Sequence, residues 1–72
     1  MKPYSAIKIC HDNNIKIYPV VVSLYSFKIE IDVNGNKKRG DLLYNYNTQK
    51  KQLNNKIIEL HENFANTIRD RQ

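Results

Sequence analysis

The strongest structural signal in this chain lies in residues 26–44, SFKIEIDVNGNKKRGDLLY. Apolar and polar residues alternate up to Asn34-Gly35, and a basic run follows. Asn-Gly is the strongest short-range signal for a two-residue type I′ turn, in which both central residues have positive φ. If these residues form the loop, opposite charges face each other in three pairs: Asp32 and Lys37, Glu30 and Arg39, and Lys28 and Asp41. The stretch therefore predicts an antiparallel hairpin whose charges favour one register.

The other face of the leading strand is apolar. It carries Phe27, Ile29, Ile31 and Val33. A slip of one residue would expose these side chains and bury the charges, so the hairpin needs a cover on this side. Gly40 falls opposite Ile29 in the same register, where we expect it to relieve crowding or to mark a bulge.

The last third of the chain changes to helical spacing. Its apolar residues are four, three, four and four positions apart: Leu53, Ile57, Leu60, Phe64 and Ile68. This stripe predicts an amphipathic helix over about 48–70, with Thr48 or Asn47 as its N-cap. Such a helix is roughly 33 Å long, whereas a compact chain of this size has a radius of gyration of about 11 Å. Its C-terminal turns should overhang the sheet and fray or pack on a second copy, which favours a homodimer through this helix.

The first third of the chain alternates in short runs that predict further strands. Ile7 and Ile9 alternate with their neighbours, and alternation resumes at Ile15 after a turn at residues 12–14. This loop places Ile9 opposite Ile17 and keeps one face apolar. Pro19 cannot donate to a strand ladder and therefore marks a sheet edge or a bulge. Residues 23–25 fit either a bend between strands or the middle of one long, bent strand.

These signals predict one small α+β domain over residues 1–72. An antiparallel sheet of three to four strands occupies about residues 5–44 and packs against one long C-terminal helix at about 48–70. The predicted core consists of Ile7, Ile9, Ile17, Val21, Phe27, Ile29, Ile31, Leu42, Leu53, Ile57, Leu60 and Phe64. Strands followed by one helix resemble, in element order alone, the arm-site binding domains of phage-type tyrosine recombinases and several small single-strand binders.

The composition indicates a basic globular protein. Hydrophobic residues make up 40% and charged residues 26% of the chain, and 12 Lys and Arg against 7 Asp and Glu give a net charge of +5. A pI near 9.5 is typical of proteins that bind a polyanion. The single cysteine, Cys10, allows no intramolecular disulfide, and we expect a reducing, cytoplasmic location. No apolar run is long enough to span a bilayer, so we expect no membrane partner.

Two basic clusters and two tyrosines are the candidate nucleic-acid contacts. They are Lys37, Lys38, Arg39, Lys50, Lys51, Tyr44 and Tyr46. In the predicted register, Lys37 and Arg39 of the first cluster lie on the ion-paired face, and Lys38 lies on the Ile31 side near the turn. The second cluster lies at the start of the helix, where backbone N–H groups also attract phosphate. The tyrosines between them can stack on bases. The clusters join only if residues 40–47 bring the open end of the hairpin near the helix. Solvated surface charges and core-capping tyrosines are the plainer interpretation.

The sequence contains no pattern typical of an enzyme or of a cofactor site. Cys10 and His11 are adjacent on a predicted strand and so point to opposite faces. His61 lies beside the helix stripe, where we expect a boundary residue, and neither histidine has metal-ligand spacing. The two glycines form no phosphate-binding loop. We therefore expect no catalysis, no metal and no cofactor.

Two functions are compatible with these patterns. The first is a small nucleic-acid-binding module that contacts phosphates through the hairpin and the helix N-terminus. The second is an interaction or inhibitor protein that docks on a host protein or nucleoprotein, through the strand edge near residues 19–22 or the overhanging helix. Ten asparagines with many lysines and isoleucines indicate an AT-rich coding sequence and favour a phage, plasmid or other mobile element as the source.

Overall fold

The computed structural model describes residues 3–70, with side chains from residue 5 onward. Its elements are α1 (Pro3–Asp12), β1 (Ile15–Ser23), β2 (Ser26–Val33), β3 (Asn36–Arg39), β4 (Tyr44–Asn45) and α2 (Tyr46–Asp70). The strands form one antiparallel sheet in which β2 is central, with β1 on one side and both β3 and β4 on the other. The sheet and the long C-terminal helix packed against it confirm the predicted α+β fold class.

The hairpin from β2 to β3 forms in the predicted register. Asn34 and Gly35 have φ values of 54° and 91°, as a type I′ turn requires. Asp32 lies opposite Lys37, and Glu30 lies opposite Arg39. The backbone N–H of Gly40 donates to the carbonyl of Ile29 at 2.8 Å, so this predicted juxtaposition also holds.

The third predicted charge pair, Lys28 with Asp41, is wrong. The return strand leaves β2 after Gly40 and rejoins it only at Tyr44, which lies opposite Phe27. In an unbroken ladder Leu42 would occupy that place, so two extra residues bulge outward and carry Asp41 out of register. Gly40 therefore marks a bulge, and a Cβ added there would lie 3.5 Å from its nearest neighbour, an ordinary contact without crowding.

The predicted first strand at residues 7–9 is wrong, because this segment belongs to helix α1. Ala6, Ile9 and Cys10 are spaced as one face of a helix, and Ala6 and Cys10 are fully buried. Ile7, which alternation assigned to the core, is 42% exposed. Over so few residues, alternating apolar positions are compatible with a strand and also with a helix. The contact with α2 decides in favour of the helix.

Local interactions support α1 at both ends. The helix begins at Pro3. The first N–H groups of a helix have no acceptor within it, so proline, which lacks an N–H, loses no hydrogen bond there. Lys8 and Asp12, one turn apart, form an exposed ion pair at 2.9 Å. The side chain of Asn13 donates to the carbonyl of Ile9 at 2.8 Å, and Asn14 follows with a φ of 59°. This left-handed residue ends the helix and turns the chain into β1.

Strand β1 pairs with β2, whereas the sequence predicted that it pairs with residues 7–9. Ile17 lies opposite Ile31, and Pro19 lies opposite Ile29. Because β1 is an outer strand of the sheet, the prediction that Pro19 marks an edge is confirmed. Ser23 lies opposite Ser26, so the residues between them are a turn that joins two strands.

Helix α2 begins earlier than predicted, and Asn45 is its N-cap in place of Thr48 or Asn47. The Asn45 side-chain oxygen accepts the backbone N–H groups of Asn47 at 2.9 Å and of Thr48 at 3.2 Å. The Gln49 side chain in turn accepts the Asn45 N–H at 2.9 Å. The backbone leaves helical geometry at Gln49 (φ −126°, ψ 21°), so the first turn is offset from the rest of α2.

The buried core lies between the two helices and the sheet. It consists of Ala6, Cys10, Ile15, Ile17, Ile29, Leu53, His61 and Ala65. Packed against it and partly buried are Ile9, Phe27, Ile31, Val33, Tyr44, Ile57, Leu60, Phe64 and Ile68. Three predicted core residues are wrong: Ile7 is on the outer side of α1, and Val21 and Leu42 are both 66% exposed. Leu42 lies in the bulge, and Val21 lies near the β1–β2 turn, at the far end of the sheet from the buried Ile15.

Helix α1 packs against the C-terminal half of α2. The Cys10 thiol donates to the carbonyl of His61 at 3.3 Å, and Ile9 and Ile68 line the same cavity. This contact occupies the part of α2 that we expected to overhang, and it removes the reason to expect a homodimer through that helix.

The described chain measures 41 × 25 × 16 Å. Because a helix precedes the strands, the element order also departs from the predicted resemblance.

Candidate nucleic-acid interface

One face of the sheet carries charged side chains and no helix. The buried Ile15, Ile17 and Ile29 all point to the side that α1 and α2 cover, and alternate residues therefore point away from both helices. We call this second side the open face. It is formed by Lys16 and Tyr18 of β1, Lys28, Glu30 and Asp32 of β2, and Lys37 and Arg39 of β3.

A row of three side chains crosses the middle of the open face. The Tyr18 hydroxyl donates to one carboxylate oxygen of Glu30, and the Arg39 Nη2 lies 3.4 Å from the other. The Glu30 side chain is 13% exposed. The hydrogen bond from Tyr18 and the charge of Arg39 lower the pKa of Glu30, and the same hydrogen bond raises the pKa of Tyr18 to about 12. Glu30 is therefore held as a carboxylate by partners on both neighbouring strands.

A second row lies nearer the type I′ turn. Asp32 lies between Lys16 on β1 and Lys37 on β3. Its side-chain oxygen accepts the backbone N–H of Gly35 at 2.8 Å, which ties the carboxylate to the turn. Among the side chains that the structure describes, Lys16, Lys28 and Lys37 form no ion pair. The open face thus presents three lysines whose charges are available to a ligand: Lys16 of β1, Lys28 of β2 and Lys37 of β3.

The predicted hairpin cluster is divided between the two faces. Lys37 and Arg39 lie on the open face, whereas Lys38 lies opposite Ile31 and lines a cavity beside Phe64. Adjacent residues on a strand alternate, so no conformation of β3 places all three cations on one surface. Two of the three predicted contacts are therefore next to each other on the open face, and the third is on the opposite side of the sheet.

The second predicted cluster lies apart from the open face. The Lys50 ammonium lies 5.2 Å from the centre of the Tyr46 ring, and that ring lies 5.4 Å from the ring of Phe27. Phe27 is on the covered side, about 10 Å along β2 from Glu30. Residues 40–47 therefore place Lys50 beside residues of the covered side, apart from Lys37 and Arg39, and Lys51 follows it as an exposed residue of α2.

The remaining predicted contacts have structural partners. Tyr44 is half-buried and packs against the core, which is the core-capping alternative. Tyr46 is 42% exposed and is held between Phe27 and Lys50. The side chain of Asn45 already accepts N–H groups at the start of α2, so fewer donors are free there for a phosphate.

Sequence reasoning missed Lys16 as a member of this surface, and it assigned Lys28 to a pair with Asp41, so neither lysine was a candidate contact. Both alternate with core residues, and that signal was present: Lys16 stands between two buried isoleucines, and Lys28 stands between Phe27 and Ile29. Recognising the surface also required the β1–β2 pairing. That pairing was hidden because residues 7–9 were assigned to the strand beside Ile17.

Cys10 and His61 are buried at the contact between the two helices. Burial raises the pKa of the Cys10 thiol, although a backbone hydrogen bond from Ala65 partly opposes it. His61 is not the boundary residue we expected, and its Nδ1–H donates to the carbonyl of Ile57 at 2.8 Å. Both side chains serve packing. No group of three His, Cys, Asp or Glu within the described residues is arranged to hold a metal ion.

Comparison with known proteins adds no relative to this description. No protein-family model matches the chain, and no curated protein or solved structure does. Neither helix described in residues 3–70 is both long and apolar enough to cross a membrane.

Proposed function

We propose that this chain is a small nucleic-acid-binding module that lays the open face of its sheet against a phosphate backbone. The observation that carries the proposal is the position of Lys16, Lys28 and Lys37: three strands place three unpaired lysines on one helix-free surface. Lysine is a point charge on a flexible stem, suited to phosphate contacts that do not read bases.

The charge balance of the open face supports a polyanionic ligand. Its four cations outnumber its two carboxylates. Glu30 is engaged by Tyr18 and Arg39, and Asp32 is engaged by the turn at Gly35. The acids therefore organise the surface and leave a net positive potential over it, which attracts phosphate at long range.

The width of the sheet indicates how the ligand would lie. Three strands at about 4.8 Å spacing exceed the two-stranded ribbon that a DNA major groove admits. We therefore place the open face across phosphates, outside the groove. Binding of this kind depends little on base sequence and strongly on salt, because bound counterions are released.

Two triple variants with equal charge test the proposal. Lys16→Gln, Lys28→Gln and Lys37→Gln together remove the unpaired charges of the open face. The matched control combines Lys38→Gln, Lys50→Gln and Lys51→Gln, and it lowers the net charge equally through the predicted contacts outside that face. Fluorescence anisotropy of a labelled DNA duplex and a labelled single strand, repeated over a salt series, measures both affinity and the number of phosphate contacts.

For the unaltered chain we expect log K to fall with log salt at a slope of about −3. The open-face variant should lose most of this slope, and the control should retain it. Equal losses in both variants would assign binding to net charge alone. An affinity that does not change with salt would exclude phosphate contact and overturn the proposal.

A further inference from the structure

Within residues 3–70, one side of the β3 backbone has no strand beside it. The Gly40 N–H donates to Ile29, so alternate residues of the return strand bond to β2 and those between them face outward. In β3 the outward residues are Lys37 and Arg39, and no other described strand lies beyond them. Their N–H and C=O groups form a free edge.

The other edge of the sheet is less able to accept a strand. The same alternation directs the backbone of Pro19 to the free side of β1. Proline has no N–H, so a strand added there would lack a hydrogen bond near the middle of β1. The edge near residues 19–22, which the sequence suggested as a docking site, is therefore weaker than the edge at β3.

An apolar cleft lies beside the β3 edge, on the side that faces α2. It consists of two adjoining cavities of about 210 and 330 Å³ that share Ile31. Leu60 and Phe64 of α2 form its far wall, and Leu42 of the bulge closes one end. We call this feature the edge cleft. It exists because α2 reaches β1, β2 and β4 but leaves β3 uncovered.

Among the described side chains, the unpaired cations near the edge cleft belong to β3. Lys38 lies at the rim of the cleft, and the Lys37 side chain lies on the other face of the strand. Two further cations are already paired: Lys56 at the rim with Glu59, and Arg39 with Glu30. One carboxylate, Asp41, also lines it. A ligand that runs along β3 therefore meets apolar surface on one side and cations on both.

We propose that the β3 edge and the edge cleft take up an extended segment of a partner protein as an additional strand. Main-chain hydrogen bonds to Lys37 and Arg39 would hold the segment. Successive side chains of a strand point to opposite faces, so apolar residues would enter the cleft and acidic residues between them would face the cations of the open face. The partner is thus a segment in which apolar and acidic residues alternate.

A second copy of the chain is the less suitable occupant. If two β3 strands paired, the basic residues 37–39 of one copy would lie against those of the other. Like charges directly opposite each other destabilise a strand pair. Acidic side chains in the same positions would form ion pairs, which is the charge complementarity that selects a foreign segment.

This surface adjoins the phosphate contacts proposed above and shares the Lys37 side chain with them. It depends on backbone groups at one edge and on a cleft on the helix side, whereas Lys16 and Lys28 belong to the proposed function alone. A negative result for peptide binding therefore leaves the oligonucleotide titration unaffected, and the reverse also holds.

A labelled peptide of alternating glutamate and valine, blocked at both ends, is the probe. Two control peptides have the same length: one has lysine in place of glutamate, and one has the same composition in blocks without alternation. We expect the alternating peptide to bind at least tenfold more tightly than either control, as measured by fluorescence anisotropy. Equal binding of all three peptides would overturn the proposal, and so would no binding of the alternating one.

Two substitutions at one position separate the backbone contact from the charge. Lys37→Gln removes the charge and keeps the outward N–H, whereas Lys37→Pro removes both. Proline is tolerated at an edge position whose N–H is free, and circular dichroism checks that the fold is kept. We expect Lys37→Pro to bind the peptide at least tenfold more weakly than Lys37→Gln, and equal binding would contradict strand addition.

Hydrogen exchange provides a measurement that needs no substitution. In the unaltered chain, the peptide should slow amide exchange at Lys37 and Arg39 and leave Lys38 unchanged, because the Lys38 N–H already faces β2. Protection elsewhere with none at these two amides would overturn the proposal. A dimer that light scattering detects for the unaltered chain and not for Lys37→Pro would also do so, since a second copy would then be the occupant.

Discussion

The two faces of strand β2 are held by different interactions. On the covered face, Ile29 is 6% exposed and lies in the apolar core between the sheet and the helices. On the open face, its neighbour Glu30 is held by a hydroxyl from β1 and a guanidinium from β3. Adjacent residues of one strand therefore belong to a hydrophobic core and to a polar network across three strands.

This difference separates stability from binding. Burial of apolar area supplies most of the free energy that folds a small domain, whereas exposed charge pairs contribute little. Substitutions on the covered face should lower the free energy of unfolding. Substitutions on the open face should change affinity and pH dependence while the fold persists.

The largest expected effect comes from Ile29→Ala. Removal of a buried isoleucine side chain leaves a cavity and should lower the free energy of unfolding by about 2–5 kcal/mol. Urea denaturation measures the loss. The control is Val20→Ala, whose side chain lies opposite Lys28 and points away from the helices, where we expect less than about 1 kcal/mol. Similar losses at both positions would show that the two faces contribute equally to stability.

An intermediate effect is expected at the turn that sets which residues belong to which face. Gly35 has a φ of 91°, so an alanine there is strained, and Gly35→Ala should cost about 1–2 kcal/mol. Gly40→Ala is the matched control, because its Cβ would make only an ordinary contact 3.5 Å from the Ile29 carbonyl. Thermal denaturation compares the two, and an equal fall in Tm would contradict the turn assignment.

The smallest effect, and one confined to the open face, is expected from Tyr18→Phe. The pKa of Glu30 is lowered from 4.5 in the folded chain, so its contribution to stability is present above that value and is lost as pH falls. The pKa of Tyr18 is raised from 10.0 to about 12, so its contribution is present below pH 10 and is lost as pH rises toward 12. Without the hydroxyl, stability should vary less with pH in both ranges.

Urea denaturation at a series of pH values measures this change. Glu30→Gln should also flatten the acid range, because it removes the titrating carboxylate while its amide oxygen can still accept the Tyr18 hydroxyl. If the free energy of unfolding of Tyr18→Phe varies with pH as it does in the unaltered chain, the hydrogen bond between Tyr18 and Glu30 contributes nothing to stability.

Local rules were sufficient for the hairpin as far as Gly40. Asn34-Gly35 set a turn with two positive φ values, and the charges and apolar residues on either side agreed with one register. The same rules identified the amphipathic stripe of α2. For the site, alternation alone placed Lys37 and Arg39 on the charged side of β3 and Lys38 on the other.

Contacts between distant segments decided the remainder. Residues 3–12 form a helix that packs on α2 with its small residues Ala6 and Cys10 fully buried, and the Cys10 thiol donates to the His61 carbonyl. Nothing within ten residues could favour that helix strongly over a strand, because short isolated helices are marginal in water and gain their stability from packing. A strand at residues 7–9 gives β1 the wrong neighbour, and with that neighbour Lys16 does not lie beside Asp32 and Lys37. Turn chemistry and periodicity act between near neighbours, whereas the open face brings together residues from three strands, and only the packed sheet aligns them.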